Sequence, residues 1–307
     1  MSKRAVLFSG QGAQAVGMGR DLVDGNPEIR DLFDRANDAM GYDLASICFD
    51  GPEEELTKSS NTQPAIFVVS VACYALLRQN KPDLTVDFAA GLSSGEWTAL
   101  HVAGVLSYED TLKVLEARGR FMQEACEASP GAMLSVIGSS EAVLAPICEA
   151  TGITMANLNS PAQTVLSGSR EGVEKAAPLA KEAGAKLAVP LKVAGAFHSP
   201  LMQSAADELA KVLEGIPFSE PLLPVVSNVT GKPHGEAATI RSTMVQQVTS
   251  SVLWYQGIDW MKEQGVSEYV ECGPGKVLTG LVKRIDKQAR LHNIHDQSSL
   301  EKTLQEL

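Results

Sequence analysis

Two short apolar runs in this chain end on glycine-rich turns, and that punctuation restricts the fold more than any other feature. RAVLF (4–8) closes on SGQG. TVDFAAG (85–91) runs into LSSG and gives way to the helical GEWTALHVAGV (95–105). A brief apolar run bounded by turn residues reads as a buried strand. PAIFVVSVACYALLRQ (64–79) is long and periodic enough for a buried helix, with Pro64 in its first turn, where a missing N–H costs nothing. SYEDTLKVLEARGRFMQEACE (107–127) reads as another helix, opened by Ser107 with an acid three residues on at Asp110, close to a capping box. Strands alternating with helices in this way predict a mostly parallel α/β sheet.

The pattern changes near Ser129-Pro130-Gly131. AMLSVIG (132–138), ITMANLN (153–159), QTVLSG (163–168) and KLAVPL (186–191) read as strands. EAVLAPICEA (141–150) and REGVEKAAPLAKEAG (170–184) read as helices between them. The order β-α-β-β-α-β is that of a ferredoxin-like unit. It predicts a small subdomain over 129–195, inserted in a large domain made of 1–128 and 196–307. After the insertion, QSAADELAKVLEGI (203–216) is helical, and WYQGIDWMKEQG (254–265), EYVECGPG (268–275) and KVLTGLVKRID (276–286) repeat helix, strand and helix.

Charge and cysteine content exclude several functions. The net charge of −11 makes nucleic acid a poor partner, because phosphate neutralisation supplies most of that affinity. Five scattered cysteines without CxxC spacing argue against a disulfide framework or a zinc site, and make a reducing cytoplasm the default. No apolar run approaches the ~20 residues of a membrane span. MSKRAVLFSGQG holds only a four-residue apolar run, which suits a first strand better than a signal-peptide core.

Gly91-Leu92-Ser93-Ser94-Gly95 matches G-x-S-x-G between a predicted strand and a predicted helix. In that context the pattern makes a tight elbow that exposes the central serine hydroxyl. An ordinary glycine turn with small residues is the competing reading. A serine nucleophile needs a base. Of five histidines, His101 lies two helical turns past Ser93, and His234, His292 and His295 fall in polar stretches that read as solvated. His198, in VAGAFHSPLM, sits where the chain re-enters the large domain, and such junctions form clefts. FSGQGAQAVGMG (8–19) exposes backbone N–H groups after the first strand, suited to a phosphate or an oxyanion. It lacks the Lys-Ser/Thr of a Walker loop and the GxGxxG spacing, which weakens the nucleotide reading.

In combination these stretches resemble a known family, the malonyl-CoA:acyl carrier protein transacylases and the related acyltransferase domains of polyketide synthases. The resemblance spans essentially the whole chain. It rests on GQGAQAVGMG (10–19), TQPAIF (62–67), GLSSGEWTAL (91–100), RGRFMQEA (118–125), NLNSPAQTVLSG (157–168), GAFHSPLM (195–202), SNVTG (227–231) and GPGKVLTGLVKRI (273–285). It implies an α/β-hydrolase-like large domain with an inserted ferredoxin-like subdomain. It implies Ser93 as nucleophile, His198 as general base, and the backbone N–H groups of Gln11 and Ser94 as oxyanion hole. Arg118 would hold the malonyl carboxylate; apart from the family it reads as a helix-surface arginine. Phe197 would exclude a methyl on the acyl α-carbon, and Leu92, Asn159 and Gln163 would line the cleft, where the last two also read as turn caps.

The implied reaction is ping-pong. Malonyl-CoA acylates Ser93 and a phosphopantetheinylated acyl carrier protein takes the group away, with no cofactor, metal, nucleic acid or membrane, and with the enzyme a monomer. The helix KVLTGLVKRIDK (276–287) is a candidate carrier-docking patch or a solvated face. The chain departs from many bacterial members at Leu92, Ser94 and Leu253, where His, Leu and Gln are usual; a main-chain carbonyl near Leu253 is implied to orient the histidine. Four readings remain open from sequence: malonyl transfer for fatty acid synthesis, a free-standing acyltransferase or acyl hydrolase serving a polyketide synthase, a non-catalytic carrier-binding homologue, and a general esterase.

Overall fold

The computed structural model describes residues 3–307. Its strands are β1 (Lys3–Phe8), β2 (Phe88–Gly91), β3 (Gly131–Ile137), β4 (Thr154–Ser160), β5 (Gln163–Ser169), β6 (Leu187–Pro190), β7 (Val225–Val226), β8 (Val266–Cys272) and β9 (Arg290–Ile294). They form two sheets. The first has the order β7-β2-β1-β8-β9 and is parallel throughout. The second has the order β4-β5-β3-β6 and is antiparallel throughout.

The central strand β1 shows why its sequence is apolar without a break. Val6 and Phe8 join the core on one face, with Phe67 and Trp97, whereas Ala5 and Leu7 join a second core on the other, with Trp254 and Leu278. A parallel strand covered by helices on both sides needs apolar residues at both phases of its pleat. In the second sheet the phases part company. Leu134 and Val136 of β3 pack under the helices Glu141–Thr151 and Arg170–Glu182, while Met133 and Val165 turn into the core of the large sheet. β4 is also tied through backbone to the segment that leads into the helix Trp254–Glu263: Val252 donates to the Ala156 carbonyl at 2.8 Å and accepts from Leu158 N–H at 2.9 Å. The β-α-β-β-α-β order read from 131–190 is present, each element within a few residues of its expected limits.

Several regions differ from expectation, the helices Arg20–Val23, Pro27–Met40, Leu44–Asp50 and Glu53–Thr57 among them. The helix expected over 64–79 runs from Ser59 to Asn80, so Pro64 lies in its second turn, not its first. The added turn is polar yet buried: Asn61 Nδ2 donates to the Glu55 carbonyl at 2.8 Å, and Thr62 Oγ1 donates to that of Leu56. Apolar periodicity does not register such a turn. This helix is also long and apolar enough to cross a membrane by length and composition, but 78% of that stretch is buried inside the protein, and packing accounts for its apolarity. Finally, the polar C-terminal stretch is ordered. β9 is an edge strand, and the helix Gln297–Glu306 starts from a capping box between Asp296 and Ser299. The helix Ala237–Gln246, also not anticipated, matters for the site below.

Candidate active site

β2 ends at Gly91 and the helix Ser94–Val102 begins three residues later, so Leu92 and Ser93 make the whole turn. A Cβ on Gly91 would lie 2.0 Å from the Gly95 carbonyl, and one on Gly95 2.2 Å from the Phe8 carbonyl oxygen. Backbone fills the space any side chain would need, which is the physical content of the two glycines. The turn is strained: Ser93 has φ 56° and ψ −111°. Among the described residues only Ser93 and His198 combine a side chain with positive φ. Such backbone costs roughly 1–3 kcal/mol per residue and persists only where the surroundings over-determine it.

Here the surroundings are Asn228 and Gln247. Asn228 Oδ1 accepts the Ser93 N–H at 2.7 Å, and its Nδ2 donates to the Gly91 carbonyl at 2.7 Å, clamping both ends of the elbow. Ser93 Oγ lies 2.8 Å from His198 Nε2. His198 Nδ1 lies 2.9 Å from the Gln247 carbonyl. Gln247 caps the C-terminus of the helix Ala237–Gln246, where carbonyls lack an intrahelical partner, so its oxygen is available to the imidazole. That bond places the ring proton on Nδ1 and leaves Nε2 free to accept from the serine. Burial, then the charge of Arg118, pushes His198 down to about 4, so the ring is neutral at pH 7.

Arg118, 1% exposed, is inside the protein rather than on a helix surface. Its Nη1 donates to Gln63 Oε1 at 2.8 Å; its Nη2 donates to Gln247 Oε1 at 3.0 Å and to Ser93 Oγ at 3.2 Å. All three acceptors are neutral. Burial pushes the guanidinium down to about 10, with the charge of Glu96 opposing, so it stays protonated at pH 7. A buried cation within hydrogen-bond reach of a serine hydroxyl, without a carboxylate at hydrogen-bond distance, is suited to receive an anionic ligand group.

A cavity of about 330 Å³ opens over these residues, between the two sheets. Gln11, Leu92, Ser93, Arg118, Asn159, Gln163, Phe197 and His198 all line it, which brings together eight of the nine residues singled out from sequence. Gln11 arrives because Gly10 packs on the elbow: a Cβ there would sit 2.2 Å from the Leu92 carbonyl oxygen. Ser94, the ninth, is buried behind the lining as the first residue of the helix, and its hydroxyl has no hydrogen-bond partner. Val277 and Leu281, from the helix Val277–Ile285, complete the mouth. On that helix Arg284 Nη1 donates to Gln163 Oε1 across the gap between the sheets.

Several expectations are corrected. The carbonyl that orients His198 belongs to Gln247, six residues before Leu253, whose own N–H is used on the Asn228 carbonyl at 2.7 Å. His234 and His292 are not solvated. His234 Nε2 lies 2.7 Å from Glu96 with its side chain 2% exposed, and His292 sits between Glu268 and Glu306 at 3.1 and 3.3 Å. His101 bonds the Leu106 carbonyl at 3.1 Å and takes no part in the site. Sequence reading missed Gln63, Glu96, Asn228 and Gln247. Gln63, Glu96 and Asn228 fell inside stretches already singled out, TQPAIF, GLSSGEWTAL and SNVTG; Gln247 fell in none.

The chain has known relatives over its whole length. Residues 6–301 match the family model described as "Acyl transferase domain". The chain is 40% identical over 312 residues to a malonyl CoA-acyl carrier protein transacylase of Bacillus subtilis, covering 100% of this chain and 98% of that one. It is 42% identical over 303 residues to the protein of that name from Haemophilus influenzae, covering 97% of each. Among solved structures, an acyl carrier protein S-malonyltransferase from Vibrio cholerae superposes with a TM-score of 0.94 at 40% identity, covering 98% of this chain and 99% of the other. A malonyl-transacylase solved in complex with a type II PKS acyl-carrier protein gives 0.95 at 41% identity, with full coverage of both chains.

Proposed function

The chain belongs to the acyl transferase domain family, and from that premise we infer that it is an acyltransferase moving the malonyl group of malonyl-CoA to the phosphopantetheine thiol of an acyl carrier protein, as a step of fatty acid synthesis. The observation that carries the substrate class is Arg118: a fully buried guanidinium, 3.2 Å from the Ser93 hydroxyl, whose hydrogen-bond partners are all neutral. A substrate bearing a carboxylate two bonds from its thioester carbonyl satisfies that group while presenting its carbonyl to the serine. A neutral acyl chain leaves the cation stranded.

Each role follows from the contacts. Ser93 attacks the thioester carbonyl as its proton passes to His198 Nε2, 2.8 Å away. The forming imidazolium is held by its Nδ1–H bond to the Gln247 carbonyl, so a carbonyl dipole does the orienting work that an acid does in a Ser-His-Asp triad. The backbone N–H groups of Gln11 and Ser94 receive the developing oxyanion; Ser94 opens a helix, whose leading N–H groups have no intrahelical acceptor. His198 then protonates the departing thiolate of coenzyme A. In the second half-reaction the carrier's thiol gives its proton to His198 and attacks the oxyester; the bond to Ser93 Oγ breaks, His198 returns the proton to that oxygen, and the carrier leaves with the malonyl group. Leu92 and Phe197 wall the acyl pocket; Asn159 and Gln163 face the arm of the donor or acceptor. In fold terms, 1–128 with 196–307 forms an α/β-hydrolase-like catalytic domain, and 129–195 a ferredoxin-like subdomain that roofs the cavity.

Intact-protein mass spectrometry after brief mixing with malonyl-CoA tests the reading, with Ser93→Ala as control and a phosphopantetheinylated carrier protein as chase. A malonyl adduct on the wild type alone, discharged by the carrier, is the expected result. An adduct lost to water as fast without the carrier as with it would make the protein a hydrolase. No adduct and no coenzyme A released would remove the serine mechanism.

A further inference from the structure

Behind the nucleophile lies a buried carboxylate that the steps above do not use. Glu96, in the first turn of the helix Ser94–Val102, is 0% exposed. Its Oε1 accepts the Asn228 backbone N–H at 3.1 Å and His234 Nε2 at 2.7 Å, and its Oε2 accepts from Gln247 Nε2. A buried carboxylate is costly unless donors meet its lone pairs, and removing one donor leaves an unsatisfied acceptor.

The two residues that Glu96 holds are the two that hold the site. Asn228 binds both ends of the elbow. Gln247 reaches every reacting group: its carbonyl takes His198 Nδ1, its Oε1 takes Arg118 Nη2, and its Nε2 donates to the Ser93 carbonyl at 3.0 Å. An amide side chain can flip, exchanging oxygen for nitrogen. The carboxylate on Nε2 forbids that flip, because the flipped amide would set oxygen against oxygen and nitrogen against the Arg118 guanidinium. His234 reaches Glu96 from the turn after β7, where its own N–H bonds the Val225 carbonyl at 2.8 Å. Its side chain is 2% exposed.

We propose that Glu96 and His234 form a buried positioning pair for the transfer reaction: Glu96 anchors Gln247 and Asn228, and His234 keeps Glu96 aimed at them. The proposal rests on the roles given above to Ser93, His198 and Arg118. Neither member of the pair touches substrate. The pair acts on how well the nucleophile, base and guanidinium are aligned, so its loss falls on kcat rather than on the KM for malonyl-CoA.

The test uses His234→Leu, His234→Gln and Glu96→Gln in the full-length enzyme, with active sites counted by malonyl adduct so that misfolded protein does not enter the rates. His234→Leu removes the donor and is expected to lower kcat about tenfold with KM within about twofold, while His234→Gln, which keeps a donor, recovers most of the rate. Glu96→Gln sets an amide nitrogen against a donor in either orientation, Gln247 Nε2 or the Asn228 N–H, and is expected to lower kcat about a hundredfold. If Glu96→Gln does not fold, the two His234 variants still decide. Equal rates per active site in His234→Leu and wild type would overturn the pair, as would an equal loss in His234→Leu and His234→Gln. A wild type that takes up no malonyl group would overturn the transfer reading and this proposal with it.

Discussion

The two walls of the cavity are built by opposite principles. On the wall formed by the parallel sheet, the groups that face the cavity from Ser93, His198 and the Arg118 fork are all committed, although Ser94 Oγ and Arg118 Nε behind them have no partner. Ser93 is fixed through N–H, carbonyl and hydroxyl, His198 through both ring nitrogens, and Arg118 through both terminal nitrogens. On the wall formed by the antiparallel sheet, Asn159 Oδ1 has no partner, Gln163 is held by the exposed Arg284, and Leu191 and Val193 stand 38% and 40% exposed at the rim. The first wall spends strained backbone and buried charge on one geometry. The second leaves valence and apolar surface for whatever enters. That division suits a reaction in which the chemistry is identical in both directions but the carrier of the thioester changes between coenzyme A and a protein.

Arg118→Ala breaks the comparison most severely, because it removes the buried cation proposed to meet the substrate carboxylate. Truncating one partner of a buried, hydrogen-bonded charge pair costs about 2–5 kcal/mol, or roughly 30-fold to 4,000-fold. The expected outcome is a loss of that size in kcat/KM for malonyl-CoA and a far smaller one for acetyl-CoA. Equal loss for both would end the carboxylate-clamp role. The same variant has a pH signature. His198 must be neutral to take the serine proton, and burial together with the Arg118 charge holds it down to about 4. Wild-type kcat/KM should therefore stay flat from neutral pH down through the ordinary histidine range. Removing the arginine charge raises the His198 pKa, so the acid limb moves to higher pH, though not fully to the ordinary value, since burial is the larger cause and remains.

How legible each wall is in the sequence follows from the same contrast. The elbow can be read because its signature is local: Gly91 and Gly95 stand four residues apart between a strand and a helix, even though the backbone that Gly95 meets is that of Phe8 in β1. His198 shows only as a histidine at a junction, and Arg118 needs the family resemblance, since a buried arginine and a surface one look alike in a helical pattern. Gln247 and Asn228 meet Ser93 across 154 and 135 residues of chain, and no local rule connects them. Glu96 reads as an ordinary acid in a helix's first turn. The edge strand β9 and the turn before Pro64 escape for a related reason: hydrogen bonds, not apolar periodicity, order them. What is legible is backbone geometry and apolar patterning; long-range polar satisfaction is not.

Phe197→Ser sharpens the comparison at the seam. Phe197 adjoins His198 in sequence, is 8% exposed, and lines the cavity, so it belongs to the committed wall while facing the pocket proposed for the acyl group. Room for one methyl is worth about 1–3 kcal/mol in a hydrophobic pocket. The ratio of kcat/KM for methylmalonyl-CoA to that for malonyl-CoA should rise about tenfold or more, measured by competition for Ser93. An unchanged ratio would place the control of the α-carbon in other lining residues, Met122 or Met133 among them.

The smallest effect is expected on the loosely built wall, and its smallness is the point. Gln163 lies half-buried at the mouth, and its Oε1 accepts from Arg284 of the helix Val277–Ile285, a contact open to solvent. One solvent-exposed hydrogen bond of this kind is worth about 1 kcal/mol or less. Gln163→Ala should therefore leave the rate of acylation per bound malonyl-CoA unchanged and raise the KM for coenzyme A or carrier substrate by only about two- to fivefold. A large fall in kcat would mean that the antiparallel sheet takes part in aligning Ser93 and His198, and the division between a committed wall and an adaptable one would not hold. A KM effect on the carrier protein but not on malonyl-CoA would go further. It would show that the bridge from Gln163 to Arg284 reads the protein rather than the pantetheine arm the two substrates share.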